Sequence, residues 1–240
     1  MSECLSDKHN DKLYDVKRAI RNLYNDVDIT HRNIVLGEIK RELEWIEHSN
    51  DVSFFACEGW KPQSIGTIKL ENAVYAIDPC YMPDTWCSGK IENIKTGVWK
   101  CFRKVGYTDW GYRIAELIIR HEDYPDGEIE TLMEGVDVGV DSGQAGFFDV
   151  NYYNGFHNEE LDDDWYERVA DLTLLDNSCG TIDMKGVVTS AGFGDGGYPL
   201  YVHEEDGKVV GMRIEFISQE ELDKYHEEWL NPKPVNGGGA

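Results

Sequence analysis

Apolar residues recur every three or four positions along residues 1–50, which is the spacing of one face of a helix. The first set is Leu13, Val16, Ile20 and Leu23, and the second is Val35, Ile39, Leu43 and Ile46. The pattern predicts two amphipathic helices that form an N-terminal helical hairpin.

From Val52 the texture changes to short β-branched and aromatic runs separated by glycine, which predict strands. These runs are SFFACE, GTIKL, AVYAID, GVWKCF, YRIAELIIRHE, EGVDVGVDSGQAGFFDV and GTIDMKGVVTSAG. A helical pattern interrupts them at Asp164 to Leu175. Two alternating runs around Asp206-Gly207 predict a tight hairpin. A last helix is predicted from Ser218, where Ser218 and Glu221 form a capping box.

This order of elements predicts an α+β fold with a mainly antiparallel β-sheet or sandwich core, an N-terminal helical hairpin and a C-terminal helix. The strands do not alternate regularly with helices, so a doubly wound parallel sheet is disfavoured. We expect three parts: a helical hairpin over 1–50, a β-rich main domain over 51–230 and a flexible tail over 231–240.

Charge narrows the range of partners. The 240-residue chain has 23 Lys and Arg against 46 Asp and Glu, a net charge of -23, and nearly all of the surplus follows residue 50. Such a chain is not expected to bind nucleic acid directly. The negative field favours a protein or cationic partner, or it imitates a phosphate backbone and occupies a DNA-binding protein.

The sequence shows neither a membrane-spanning run nor a secretory signal, so we expect a cytoplasmic protein without membrane association. The six cysteines are not closely paired, and we expect them to be reduced and mostly buried. We also expect Trp86, Trp99, Trp110 and the aromatic stretch 151–157 to lie in the core rather than in a ligand pocket.

Three glycine-rich acidic stretches, 76–87, 136–149 and 190–199, are the candidate functional loops. Each places an acid at the end of a strand beside residues that permit unusual backbone geometry. If the loops meet at one end of the sheet, they would form a ligand site. Its predicted members are Asp78, Tyr81, Asp141, Ser142, Gln144, Asp195 and Tyr198.

The same loops allow a metal site. Carboxylates of Asp78, Asp141, Asp149 and Asp195 in a small volume would bind a hard cation such as Mg²⁺ or Ca²⁺. The spacing of these residues in the sequence does not by itself require a metal site. The simpler interpretation, which we favour, is that each Asp caps a turn through local backbone amides.

Four motifs resemble, in order, a family of bacterial and phage proteins known as a domain of unknown function: DPCY at 78–81, WGYR at 110–113, VDSGQAGFFD at 140–149, and a GDGGYP stretch leading into the hairpin (190–216). The resemblance covers about residues 70–217. It carries no catalytic residues to this chain. It implies a binding role, as in immunity or counter-defence proteins of bacterial conflict systems.

Two functions are therefore predicted. The first is a non-enzymatic acidic binding protein that sequesters a partner. The alternative is a divalent-metal-dependent hydrolase whose carboxylates on glycine-rich loops hold the ion and activate water.

Overall fold

The computed structural model describes residues 61–230, apart from 109, 126, 128, 130, 157–162 and 176. The predicted helical hairpin at 1–50, the run SFFACE and the tail at 231–240 lie outside the described residues.

Strands dominate the described part of the chain. They are β1 (Gln63–Leu70), β2 (Ala73–Ile77), β3 (Ser88–Glu92), β4 (Gly97–Thr108), β5 (Gly111–His121), β6 (Thr131–Val140), β7 (Gln144–Asp149), β8 (Cys179–Ile182), β9 (Gly186–Ser190), β10 (Gly196–Glu205) and β11 (Lys208–Glu215). The helices are α1 (Val150–Phe156), α2 (Asp163–Thr173) and α3 (Gln219–Leu230).

The strands form two antiparallel sheets. The larger sheet has the order β1-β4-β5-β11-β10-β6, and the smaller has the order β3-β2-β7-β9-β8. Contacts of β1 with β7, β8 and β9, and of β6 with β3, join the two sheets. The prediction of a β-rich, mainly antiparallel α+β fold is confirmed for the described residues.

Local sequence signals account for several elements. Asp206 and Gly207 connect β10 to β11 with φ angles of 51° and 73°, as a hairpin turn with two left-handed residues requires. Before α3, the Ser218 amide donates to Glu221 Oε2 at 3.0 Å and the Glu221 amide donates to Ser218 Oγ at 3.2 Å. The predicted hairpin and capping box are therefore present. The helical pattern at Asp164 corresponds to α2.

The sequence pattern did not predict α1, because seven residues span only about two turns and are too few to show a helical repeat. Its start is set by Asp149, whose Oδ1 accepts hydrogen bonds from the amides of Asn151 at 3.1 Å and Tyr152 at 3.2 Å. A carboxylate at this position satisfies amides that the first helical turn leaves unpaired. The cap therefore initiates a short helix after β7.

The two faces of the smaller sheet bury different sets of residues. One face packs against α1 and α2 through a cluster that includes Tyr75, Phe148, Tyr153, Trp165 and Val169. The alternate residues of these strands, such as Val74 and Phe147, are also buried. Because both faces are covered, β7 is buried along its whole length.

Four cysteines fall in the described part of the chain, and all four are free: Cys80, Cys87, Cys101 and Cys179. All but Cys80 are buried, as expected. None of the described helices is long and apolar enough to cross a membrane.

Candidate functional site at one end of the sheets

Both sheets turn several connections toward the same end of the β domain. The loop 141–143 carries the chain from β6 in the larger sheet to β7 in the smaller, and 191–195 carries it from β9 back to β10. Segment 78–87, which joins β2 to β3, and Trp110, between β4 and β5, reach the same end because the strands are antiparallel. We call these four connections the loop end.

The three glycine-rich acidic loops are neighbours at this end. Ala191 N donates to Gly143 O at 2.8 Å, and Gly196 pairs with Val140, one position before Asp141. Asp78 reaches the loop 141–143 through its side chain. The structure thus places Asp78, Asp141 and Asp195 on adjoining loops although they are far apart in sequence.

Asp78 is fully buried and joins two of these loops. Its Oδ2 accepts hydrogen bonds from the amides of Asp141 and Ser142, both at 2.8 Å. Its Oδ1 accepts hydrogen bonds from Ser142 Oγ at 2.7 Å and Cys80 N at 2.9 Å. A carboxylate offers about four lone-pair sites, so these four donors use its capacity. Asp78 therefore organises the loop end and presents no open oxygen to a ligand.

Tyr81 and Asp141 form the accessible pair beside Asp78. The Tyr81 hydroxyl donates a hydrogen bond to Asp141 Oδ2. This hydrogen bond, which favours the protonated phenol, is the largest cause that raises the pKa of Tyr81 to about 12, and partial desolvation adds to it. Because Tyr153 Oη also donates to Tyr81 O at 2.7 Å, the Tyr81 backbone is tied to α1. Asp141 itself is exposed.

Gln144 and Ser142 lie beneath this surface. Gln144 is buried, accepts a hydrogen bond from Thr173 Oγ1 at 3.0 Å and approaches Cys80 Sγ at 3.8 Å through Nε2. The backbone amide and the hydroxyl of Ser142 both donate hydrogen bonds to the Asp78 carboxylate. Both residues therefore connect the loops to the fold beneath them, and Ser142 is not arranged as a nucleophile beside a base.

Asp195 and Tyr198 have different roles although they are close in sequence. Asp195 is exposed. Tyr198 Oη donates to Gly194 O at 2.6 Å, and its ring packs edge to face on Phe216 at 5.1 Å. Tyr198 thus shapes the loop 191–195. That loop includes Gly194 with a φ of 108°, a conformation that favours glycine.

Asp149 does not lie with the other three aspartates. It pairs with Val74 at the start of β2, whereas Asp78 follows Ile77 at the other end of that strand. At roughly 3.3 Å per residue the two positions are about 13 Å apart. Asp149 caps α1 and also accepts the Glu71 amide at 3.0 Å. The expectation that all four carboxylates share a small volume is therefore wrong for Asp149.

The other three carboxylates are also not arranged as the ligands of a cation. Asp78 is saturated by donors, and Asp141 is engaged by Tyr81. Within the described residues, no group of three or more His, Cys, Asp or Glu side chains is arranged to hold a metal ion.

Three large aromatic side chains are exposed at the loop end, and two of them contradict the expectation of core positions. Trp86 is 64% exposed, Trp110 is 66% exposed and Phe193 is 37% exposed. Trp99, the third tryptophan of that expectation, is fully buried. Sequence reasoning missed the exposed rings because aromatic residues are usually buried.

Packing against the backbone holds the exposed Trp86 in place. A Cβ atom at Gly139 would lie 2.4 Å from the Trp86 ring, so the ring covers a position where a larger residue does not fit. Tyr81 contacts Trp86 edge to face at 6.4 Å. On the other side of the loop end, Phe193 lies between Trp110, at 5.6 Å, and Tyr225, at 6.2 Å. The exposed rings are thus supported by neighbours.

The thiols beneath the loop end are expected to be unreactive at pH 8. Burial, together with the Asp78 charge, raises the pKa of Cys80 from 9.0 to about 11 and that of Cys87 to about 12. At pH 8 about one Cys80 in a thousand would be a thiolate, against about one in ten at a pKa of 9. A short iodoacetamide pulse followed by peptide mass spectrometry should show little modification of either thiol. The Cys80 rate should rise about tenfold per pH unit up to about pH 11.

Modification in urea serves as the control, since both thiols should then react at ordinary rates. The raised pKa of Cys80 also predicts a stability contribution that is complete below about pH 9 and lost as the pH rises toward 11. Modification of Cys80 at pH 8 in the folded protein at the rate of a free thiol would contradict its described environment.

No protein-family model, curated protein sequence or solved structure matches this chain. The resemblance to a bacterial and phage family stays a prediction from the four motifs.

Proposed function

We propose that this protein is a non-enzymatic binding protein whose loop end docks a basic segment of a partner protein. The observation that carries the proposal is the group of exposed, supported aromatic rings Trp86, Trp110 and Phe193 among exposed carboxylates. Tryptophan and tyrosine contribute disproportionately to binding energy at protein interfaces. Exposed apolar side chains concentrated at one end of a domain also commonly mark an interaction site.

Charge supports a cationic partner. Asp84 and Asp195 are exposed on the loops that carry Trp86 and Phe193, and Asp141 is exposed on the adjoining loop 141–143. A Lys or Arg side chain can lie over a tryptophan face while it pairs with a neighbouring carboxylate. The net charge of -23 adds long-range attraction for a basic partner. Both features favour the same ligand chemistry.

The arrangement of the aspartates favours this binding role over the metal-dependent hydrolase. A hydrolytic metal site needs carboxylate oxygens that converge on one ion and leave a position for water. Here Asp78 is saturated by four donors, and Asp149 lies at the far end of β2. The loops support a surface better than a reaction centre.

A decoy that imitates nucleic acid would act through its charge alone, without defined aromatic contacts. The supported rings at the loop end favour a specific docking site instead. Sequestration of a basic partner in the cytoplasm would suit an immunity or counter-defence factor, the role that the family resemblance implies.

The proposal is tested with labelled short peptides that carry Lys and Arg between apolar residues, and with the same peptides in which Gln replaces each basic residue. Fluorescence anisotropy should show saturable binding of the basic peptides, with quenching of tryptophan emission. Trp86→Ala and Trp110→Ala should each weaken binding at least about tenfold, since buried interface tryptophans often contribute 2 kcal/mol or more. Asp141→Asn and Asp195→Asn should each weaken it about threefold.

Tyr166→Ala and Glu204→Gln are matched controls. Tyr166 is an exposed aromatic residue on α2, 49% exposed, and Glu204 is an exposed acid on β10 outside the loop end. Both variants should bind like the wild type. If the two tryptophan variants bind basic peptides as tightly as the wild type and salt alone abolishes binding, the general negative field is responsible and the docking site is refuted.

A further inference from the structure

A second group of polar residues lies on the larger sheet, on the face that carries Glu116, Ile118 and Arg120 of β5. Lys104 on β4, Glu116 on β5 and Arg213 on β11 line a cavity of about 50 Å³. Arg120 lines the same cavity, with Ile118 and Ile129 among its apolar neighbours. A single water needs roughly 10–15 Å³ of such a cavity, so this cavity has room for one small polyatomic group.

Glu116 is shared by two of the cations. Its Oε1 lies 3.2 Å from Lys104 Nζ and 3.3 Å from Arg213 Nη1. Lys104 also donates to Gln219 Oε1 at 2.9 Å, and Arg213 pairs with Glu215 at 2.6 Å. These side chains are mostly buried and already have polar partners, so their positions are well defined.

Arg120 differs from Lys104 and Arg213 in its hydrogen bonding. Its Nε atom is buried and has no hydrogen-bond partner within the described part of the chain. The guanidinium lies 5.0 Å from the Tyr124 ring centre and 6.0 Å from that of Phe102. These rings hold the guanidinium but accept few of its hydrogen bonds. Across the strand pair its partner is Lys100, another cation.

The charge around the cavity is opposite to that of the whole chain. Among the described residues, three cations and one carboxylate line the cavity wall, and Glu215 pairs with Arg213 beside it, although acids outnumber bases 46 to 23 in the sequence. The Arg120 Nε atom is thus a buried donor without a described partner in a cavity whose lining carries more cations than carboxylates. Leaving a buried polar group unsatisfied is unfavourable, and each such group calls for an explanation.

We propose that this cavity binds a small oxyanion group, either a phosphate or a carboxylate, through the Arg120 guanidinium. The planar guanidinium presents paired donors that match the two oxygens of such a group. Lys104 and Arg213 line the same cavity and add positive charge, which Glu116 and Glu215 partly offset. The site is independent of the proposed docking of a basic segment at the loop end.

The test uses the full chain and inorganic phosphate as the probe. Isothermal titration calorimetry and thermal unfolding are measured in phosphate and in sodium chloride of equal ionic strength, with acetate as a second arm. Saturable binding with a raised Tm is expected. Arg120→Gln should weaken binding at least about tenfold, the factor that corresponds to the loss of one charged hydrogen bond. Arg120→Lys keeps the charge but loses the paired donors, so its affinity for phosphate should lie between those of the wild type and Arg120→Gln.

Lys90→Gln is the matched control, because Lys90 is an exposed cation on β3 that pairs with Glu92. It should bind phosphate like the wild type. The ligand-induced change is referred to each variant's own Tm without phosphate, so a change in stability does not obscure the result. Stronger binding of phosphate than of acetate assigns a phosphate group, and comparable binding extends the site to carboxylates.

An independent measurement follows the side-chain Nε–H signal of Arg120 by NMR, assigned from its loss in Arg120→Gln. Phosphate should shift this signal with the same half-saturation as the calorimetric titration. Absence of saturable binding to the wild type, or equal binding by Arg120→Gln, would refute the oxyanion site.

Discussion

Asp78→Ala is expected to lower the free energy of unfolding by about 4 kcal/mol, the largest effect of any single change at the loop end. The buried carboxylate accepts four hydrogen bonds, from Cys80 N, Asp141 N, Ser142 N and Ser142 Oγ. Alanine would leave these donors without their acceptor in a site that is closed to solvent. The loss should be measured by urea unfolding followed by circular dichroism.

Asp78→Asn separates charge from shape in the same experiment. Its amide group is nearly isosteric, but the NH₂ side would face a backbone donor, so we expect a loss of about 3 kcal/mol. Asp195→Ala is the control, because Asp195 is exposed, and its effect should stay within about 0.5 kcal/mol. A change of less than about 1 kcal/mol for Asp78→Ala would show that other contacts hold the loops together.

The Asp78 result also bears on function. Segment 78–87 carries Trp86, and Asp78 ties the start of that segment to the loop 141–143. A variant that remains folded at low temperature but loses this tie should bind basic peptides less tightly than the wild type. Loss of stability with unchanged peptide affinity would place the docking surface elsewhere.

Trp165→Ala is expected to destabilise the fold by about 4 kcal/mol, within the range for removal of a buried tryptophan. Its ring is fully buried and lies 5.1 Å from Phe156 and 5.4 Å from both Phe148 and Tyr153. Removal would open a cavity between α2 and the smaller sheet, and rigid neighbours would fill it only partly. Thermal and urea unfolding with matched m-values should report the loss.

Trp165→Phe tests a second contribution of the same side chain. Trp165 Nε1 donates to Pro79 O at 2.8 Å, so α2 is bonded to the residue that follows Asp78. Phenylalanine keeps most of the packing but leaves the Pro79 carbonyl without this donor, which should cost about 1–2 kcal/mol. The neighbouring exposed residue provides the control, and Tyr166→Ala should stay within about 0.5 kcal/mol. Equal effects of the Ala and Phe changes would mean that the hydrogen bond, not the ring, carries the stability.

Asp78 and Trp165 should also be coupled, since both act on the residues 78–80. The double variant is expected to lose at least about 0.5 kcal/mol less than the sum of the single losses, because the second change acts on a loop that is already released. Additive losses would indicate that the loop end and α2 are stabilised separately.

Local chemistry made several elements predictable from sequence. The hairpin at Asp206-Gly207 depends on two residues that tolerate a positive φ, and the start of α3 depends on a capping box four residues long. Runs of β-branched and aromatic residues predicted strands such as β5, because these side chains suit the pleated surface of a sheet. Such signals depend on neighbours within a few positions.

The candidate site was only partly predictable. Glycines and acids at strand ends predicted the three candidate loops, and the loops bearing Asp78, Asp141 and Asp195 are adjacent in the structure. The sequence did not indicate that Asp78 faces inward while Asp141 and Asp195 face solvent. The sequence also did not indicate that Trp86 is exposed. The position of this ring depends on Gly139, a residue 53 positions later that leaves room for it. Composition alone assigns such a ring to the core.

The sequence by itself determined the strand-rich character of residues 61–230, the C-terminal hairpin, the capped helix after it and the large excess of negative charge. Periodicity, turn chemistry and charge are properties of short segments or of the whole composition, so they need no knowledge of distant contacts. The tertiary structure alone decided that Asp149 caps a helix far from Asp78, that three aromatic rings are exposed at the loop end, and that the Arg120 Nε atom is buried without a hydrogen-bond partner among the described residues. Each of these depends on which strands become neighbours, and that pairing follows from the packing of the whole domain.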